Sequence, residues 1–142
     1  MITKRGLIRN ALEEVFKSIS VDNGFNTNLY ESVTPRFIFP DDDPQLPLIS
    51  FSMGQENIRY LPGAAQDRFL SVNIRAYVED PDGTGNPIED LIQDIETVVE
   101  QNARLALSDG TTVRDIRVIM IDTDQGVLAP LGLAEIQLVV EY

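Results

Sequence analysis

Between residues 69 and 78 the side chains alternate: Leu70, Val72, Ile74, Ala76 and Val78 fall on one side, and Ser71, Asn73, Arg75 and Tyr77 on the other. A period of two sustained this long belongs to an extended strand with one buried face. The last ten residues repeat it, with Ala134, Ile136, Leu138, Val140 and Tyr142 opposite Glu135, Gln137 and Glu141. A sheet with one such apolar face needs a second layer to cover it.

Two amphipathic segments supply that layer. Leu7, Ile8, Ala11, Leu12, Val15, Phe16 and Ile19 recur at three- and four-residue steps, which predicts a helix over about 3–20 with Thr3 as its N-cap and Asp22-Asn23-Gly24 as its stop. The second helix opens at Asn86, read as its cap, with Pro87 at the first position and Glu89 at capping-box spacing. Its stripe is Ile88, Leu91, Ile92, Ile95, Val98, Val99 and Leu105. Burying such a stripe contributes about 10–20 kcal/mol before entropy is counted, so neither helix stands alone in solvent. Residues 48–53 and 113–122 read as further strands, and 28–38 as an edge strand because of Pro35. The order helix, strand, strand, strand, helix, strand, strand gives an α+β two-layer sandwich. In it a mostly antiparallel or mixed sheet of four to five strands carries both helices on one face, and the passage through the second helix allows one parallel crossover.

The length, 142 residues, suits one domain spanning 1–142. With 43% hydrophobic and 24% charged residues the chain has a core to bury and is not of disordered composition. Its 23 acids against 11 bases leave a net charge of −12, which argues against a groove that grips nucleic-acid phosphates, since such binding works through Lys and Arg. Zero cysteines exclude disulfides and thiolate metal sites. The start Met1-Ile2-Thr3-Lys4-Arg5 lacks the apolar run of a signal peptide and no apolar stretch is long enough to span a bilayer, so a cytoplasmic protein without membrane contact is expected.

The chain has no histidine and no cysteine, which removes the commonest general base and the strongest nucleophile. Serine and threonine hydroxyls have no histidine to activate them, and no motif fixes a pair of carboxylates at a catalytic separation. An enzyme is not expected, nor a cofactor. Asp80-Pro81-Asp82-Gly83-Thr84-Gly85-Asn86 opens like a calcium loop, but Leu91 stands where a bidentate glutamate is needed; the segment reads instead as a turn leading into a helix cap. Asp41, Asp42 and Asp43, between Pro40 and Pro44, read as a solvated tip with no distant metal ligand.

Three connections, 40–47, 54–67 and 122–132, are long for a domain of this size. The second carries Ile58, Tyr60 and Leu61 among polar neighbours, apolar residues that want a partner surface. The strand face bearing Phe69, Arg75 and Tyr77 has two readings, a solvated face or contact with another subunit.

In order, length and texture the chain resembles the tail terminator, or tail-completion, proteins of long-tailed bacteriophages. The likeness lies in the opening helix over 5–19, the approach Pro44-Gln45-Leu46-Pro47-Leu48-Ile49, the strand 68–78 with its acidic turn and the helix 87–107. The closing hairpin, from Asp122-Thr123-Asp124-Gln125-Gly126 to residues 133–142, completes it. The resemblance implies a structural virion protein that forms a ring, usually of six subunits. Such a ring caps the finished tail tube, stops its growth and offers a surface to head-side neck or connector proteins. DNA passes through the bore without being specifically bound. The implied location is the virion tail or neck, after assembly in the host cytoplasm. On this reading Arg59, Arg68 and Arg75 sit at subunit or tube-facing interfaces and pair with a neighbour's acids, along with Tyr60, Leu61, Phe69 and Tyr77, or are ordinary surface residues. Asp41, Asp42, Asp43, Asp122 and Asp124 would then supply an acidic lumen or loop. The segment 54–67 would be mobile in the free subunit and order on assembly. Two other readings stay open: another neck or connector ring of the same particle, and a small acidic inhibitor that imitates DNA.

Overall fold

A computed structural model describes residues 2–29, 32–36, 46–125 and 130–142. The first helix, α1 (Lys4–Lys17), begins where Thr3 accepts a hydrogen bond from the Gly6 amide at 3.1 Å. Beyond it a single 3-10 turn (Val21–Asn23) ends on Gly24, whose φ of 89° is a left-handed conformation that glycine adopts without strain. The second helix, α2 (Asn86–Gln101), starts one residue earlier than its sequence signature suggests. Gly85 is the N-cap, and the carboxylate of Asp80 braces the entry by accepting from the amides of Thr84 at 3.1 Å and Gly85 at 2.8 Å. Asp80 thus serves the turn. The helix ends at Gln101, short of 107, where the Asn102 side chain donates to the Val98 carbonyl at 2.8 Å. Leu105 and Leu107 are buried from the next segment of chain rather than from the helix itself.

Five strands form one mixed sheet: β1 (Val33–Thr34), β2 (Leu48–Tyr60), β3 (Gln66–Glu79), β4 (Asp115–Thr123) and β5 (Leu131–Glu141), in the spatial order β1-β2-β3-β5-β4. The β2–β3, β3–β5 and β5–β4 pairs are antiparallel, and β1–β2 is the one parallel pair among the described residues. Strands β3 and β4, joined through α2, run in the same direction, but β5 lies between them, so the crossover does not create a parallel ladder. Of the expected strand over 28–38, the described residues form β1, Val33 and Thr34, at the sheet edge just before Pro35.

Alternation places Leu70, Val72, Ile74, Ala76 and Val78 of β3 and Ala134, Ile136, Leu138 and Val140 of β5 in one core with Leu7, Ile8, Leu12 and Phe16 of α1 and Leu91, Ile95 and Val98 of α2. Phe16 meets Phe51 edge-on at 5.6 Å between ring centroids. A buried carboxylate ties α2 to the segment after the 3-10 turn: Asp94, 2% exposed, accepts from the amides of Asn26 and Thr27 and from the Thr27 hydroxyl at 2.6 Å. Among the described residues no helix is long and apolar enough to cross a membrane.

The largest departure from sequence expectation is 54–67. Instead of a loop, β2 and β3 continue as an antiparallel ladder to Tyr60 and Gln66, closed by a short turn in which the Leu61 amide donates to the Ala65 carbonyl at 2.9 Å. The ladder forms an arm beyond the helix-covered core. Asp41, Asp42 and Asp43, and most of the segment 40–47, lie outside the described residues.

Candidate functional site

The arm begins at a bulge. Between Met53 and Glu56 the β2–β3 register slips, and Gly54 sits where a Cβ would come within 2.8 Å of the Asn73 side chain and 3.2 Å of the Ser71 carbonyl. Arg5 of α1 donates to the Gly54 carbonyl at 3.1 Å, so the first helix holds the bulge.

Two ion-paired clusters stiffen the arm. Past the bulge Glu56 turns to the helix side, opposite Leu70, where its carboxylate accepts from the Tyr142 hydroxyl and from Arg68 at 2.6 Å, with Arg5 4.0 Å away. Arg68 also donates to Gln66 at 2.9 Å. Burial pushes the Glu56 carboxyl up, but the hydrogen bonds from Tyr142 and Arg68 and the charge of Arg5 outweigh it and hold the group below its ordinary range. Burial, and then the bond to Glu56, pushes the Tyr142 phenol up to about 12. Within the second cluster, Asp67 is 4% exposed and accepts from Arg114 on one oxygen and from Arg59 at 2.5 Å on the other. The Arg59 hydrogen bond, against desolvation and aided by Arg114, lowers its pKa. The Arg59 guanidinium also lies 5.9 Å from the Phe69 ring centroid, a cation–π contact.

Arg59, Arg68 and Arg75 therefore each meet an acid of their own chain, the last pairing with Glu135 at 3.5 Å. The sequence leaves two readings of these arginines, pairing with a neighbour's acids or ordinary surface residues; within one copy, the β2–β3 and β3–β5 registers give each an internal partner. Tyr77, on the same face as Arg75, is only 3% exposed. Tyr60, by contrast, is 73% exposed at the arm's end and Ile58 is exposed beside it. Asp122 lies exposed on β4, and the Asp124 amide donates to the Leu133 carbonyl at 3.0 Å across the closing hairpin.

Sequence reasoning missed Glu56, Asp67 and Arg114, whose partners lie 12, 8 and 47 residues away in the chain and become neighbours only through strand register. It also missed the second apolar surface, Ile119, Met120 and Ile121 on β4, at 54%, 43% and 40% exposure. A bulge between Val118 and Met120 breaks the alternation there, so a period-of-two reading passes over it. Among the described residues no group of His, Cys, Asp or Glu is placed to hold a metal ion. The arrangement is one of strand edges, ion-paired braces and exposed apolar side chains, which suits contact with macromolecules.

A family model described as Bacteriophage Tail Tube Terminator Protein matches residues 2–142. The chain is 32% identical over 129 residues to the tail tube terminator protein p142 of Escherichia phage T5, covering 85% of this chain and 80% of that one. Its fold is similar to that of a chain in the virion of a native gene transfer agent particle, with a TM-score of 0.61 at 11% identity over 96% of this chain and 95% of the other. The chain belongs to the bacteriophage tail tube terminator family, structural virion proteins of the phage tail and not enzymes.

Proposed function

We propose that this chain closes into a ring of six copies that caps the tail tube, ends the addition of tube subunits and offers its far side to head-side neck or connector proteins. The observation that carries this reading is the family match across the whole chain, residues 2–142. The physical features agree with it. An arm stiffened by internal ion pairs keeps its shape before assembly, and the exposed Tyr60, with the adjoining Leu61, gives it an apolar end to press against a neighbouring subunit or the tube. Phe69, on the polar face at the base of the arm, adds to this contact, Arg59 and Arg68 set the form of the arm, and Arg75 and Tyr77, farther along β3, belong to a second part of the interface.

The acidic groups Asp41, Asp42, Asp43, Asp122 and Asp124 supply an acidic lumen or loop in this arrangement. A negative lining lets the genome pass without the counterion-releasing contacts that would hold it. Assembly takes place in the host cytoplasm, where the finished tube is capped.

Electron microscopy of the purified chain mixed with uncapped tail tubes tests the reading. Six-fold rings at one tube end, and arrest of tube growth, are expected. Tubes that keep elongating in an excess of the chain would refute it, and rings found only away from the tube end would assign the protein to another neck position.

A further inference from the structure

Five of the seven large apolar side chains most exposed among the described residues lie on two strands: Ile58 and Tyr60 on β2, and Ile119, Met120 and Ile121 on β4. These strands stand at opposite sides of the sheet. Among the described residues no strand pairs with the outer edge of β4, and β2 pairs on its outer side only at Ile49 and Ser50, with β1. Unpaired edges bearing apolar side chains are templates for another strand.

Charge singles out the same two strips. Residues 55–68 hold Glu56 and Asp67 against Arg59 and Arg68 and are neutral. Residues 114–124 hold Asp115, Asp122 and Asp124 against Arg114 and Arg117, for −1. The rest of the chain carries −11 of the total −12, so copies of this protein repel least where these edges meet.

Resting on the ring reading above, we infer that the β4 edge of one copy, at Ile119–Met120–Ile121, adds as a strand to the arm edge of β2 in the next copy, at Ile58–Arg59–Tyr60. Strand polarity permits it: β2 and β4 run in opposite directions within the chain, so head-to-tail addition continues the sheet as an antiparallel ladder. Two different patches meeting in this way form a heterologous contact, the kind that closes into rings.

The register also fixes a stagger. Met120 is level with Asn73 through Gln137, and Arg59 is level with Asp67, so the two patches lie six residues apart along β3. That offset is about 20 Å, gained across four strands that span about 19 Å, which inclines the strands by about 45° to the ring axis. Closed barrels tilt their strands by about 35–45°. The same offset carries the neighbour clear of β1 and of the Arg5 contact at Gly54. With Met120 opposite Arg59, antiparallel pairing sets Ile58 beside Ile121 and Tyr60 beside Ile119 of the adjacent copy.

The chain contains no cysteine, so engineered thiols report without background. The double variant Ile58→Cys with Ile121→Cys, treated with a short thiol-to-thiol cross-linker at concentrations where native mass spectrometry shows rings, or on capped tubes, should give a ladder ending at the ring size. Each single variant alone should stay uncross-linked, and a mixture of the two singles should stop at dimers. Both sites are exposed, so folding is preserved. A Ser52→Cys with Met120→Cys ladder in place of the first would overturn the stagger, and dimers of Ile121→Cys alone would replace the head-to-tail contact by a two-fold one. Rings without any 58–121 cross-link would overturn edge pairing and leave the ring itself standing. Absence of rings both in solution and on tubes would overturn the ring reading.

Discussion

At the scale of single residues, the carboxylates that matter are held by donors the fold supplies. Glu56, Asp67 and Asp109 all have lowered pKa values. A group whose folded pKa is depressed contributes stability that is present above its unfolded pKa and lost as pH falls through the folded one. Thermal unfolding should therefore shift to lower temperature as pH drops below the ordinary carboxylate range near 4, and Glu56→Gln should flatten part of that acid limb. Tyr142 acts in the opposite direction. Its neutral form is favoured in the folded chain, so its contribution is complete below about 10 and disappears as pH rises towards about 12. Absorbance titration of the phenols should show one group ionising near that upper value, and Tyr142→Phe should remove it; an unchanged titration would mean that the Glu56 contact does not form in solution. Asp94 holds two backbone amides and a hydroxyl from inside the core, so Asp94→Ala should cost about 1–3 kcal/mol per unsatisfied donor in chemical denaturation.

Among the secondary elements, the two helices and the central strands were legible because burial imposes a period that composition records. Leu91 and Ile95 on α2 and Val72 and Ile74 on β3 are each at most 1% exposed, as their spacing requires. The ends were less legible: α2 stops at Gln101 because the Asn102 side chain caps it, and among the described residues β1 comprises only Val33 and Thr34. The arm was misread because past the bulge its two faces carry both polar and apolar residues, Glu56, Ile58 and Tyr60 on one and Asn57 and Arg59 on the other. No alternation survives there to announce a strand. Its order comes instead from cross-strand ion pairs and from Gly54, which lets β2 bend towards Arg5. Gly54→Val should cost about 1–3 kcal/mol through overpacking against the Ser71 carbonyl, and amide exchange in residues 55–66 should rise selectively while the core of β3 and β5 stays protected. Arg68→Glu should do the same for a different reason, by setting a second carboxylate against Glu56. Lost assembly in that variant would thus report damage within one arm before it reported a broken subunit contact.

For the whole molecule, the governing quantity is charge. In the proposed ring, six copies at −12 each would carry −72, and the ring would have to form against that repulsion. The proposed contacts are apolar and almost neutral, while the acids lie elsewhere, so the opposing force is long-range and the cohesive force short-range. Salt separates the two: the screening length falls from about 10 Å at 0.1 M to about 3 Å at 1 M, which weakens repulsion between distant acids and leaves buried apolar contact intact. Sedimentation at increasing salt should therefore show association growing stronger. A protein that imitates DNA would behave in reverse towards a basic target, binding less as salt rises. Binding of the ring to duplex DNA should be undetectable by fluorescence anisotropy at about 0.15 M salt, because no strip among the described residues offers the run of unpaired arginines and lysines that phosphate contacts need: Arg59, Arg68, Arg75 and Arg114 are already committed to acids of the same chain. Assemblies that dissolve with added salt would show instead that ion pairs between subunits, and not the apolar edges, hold the ring together.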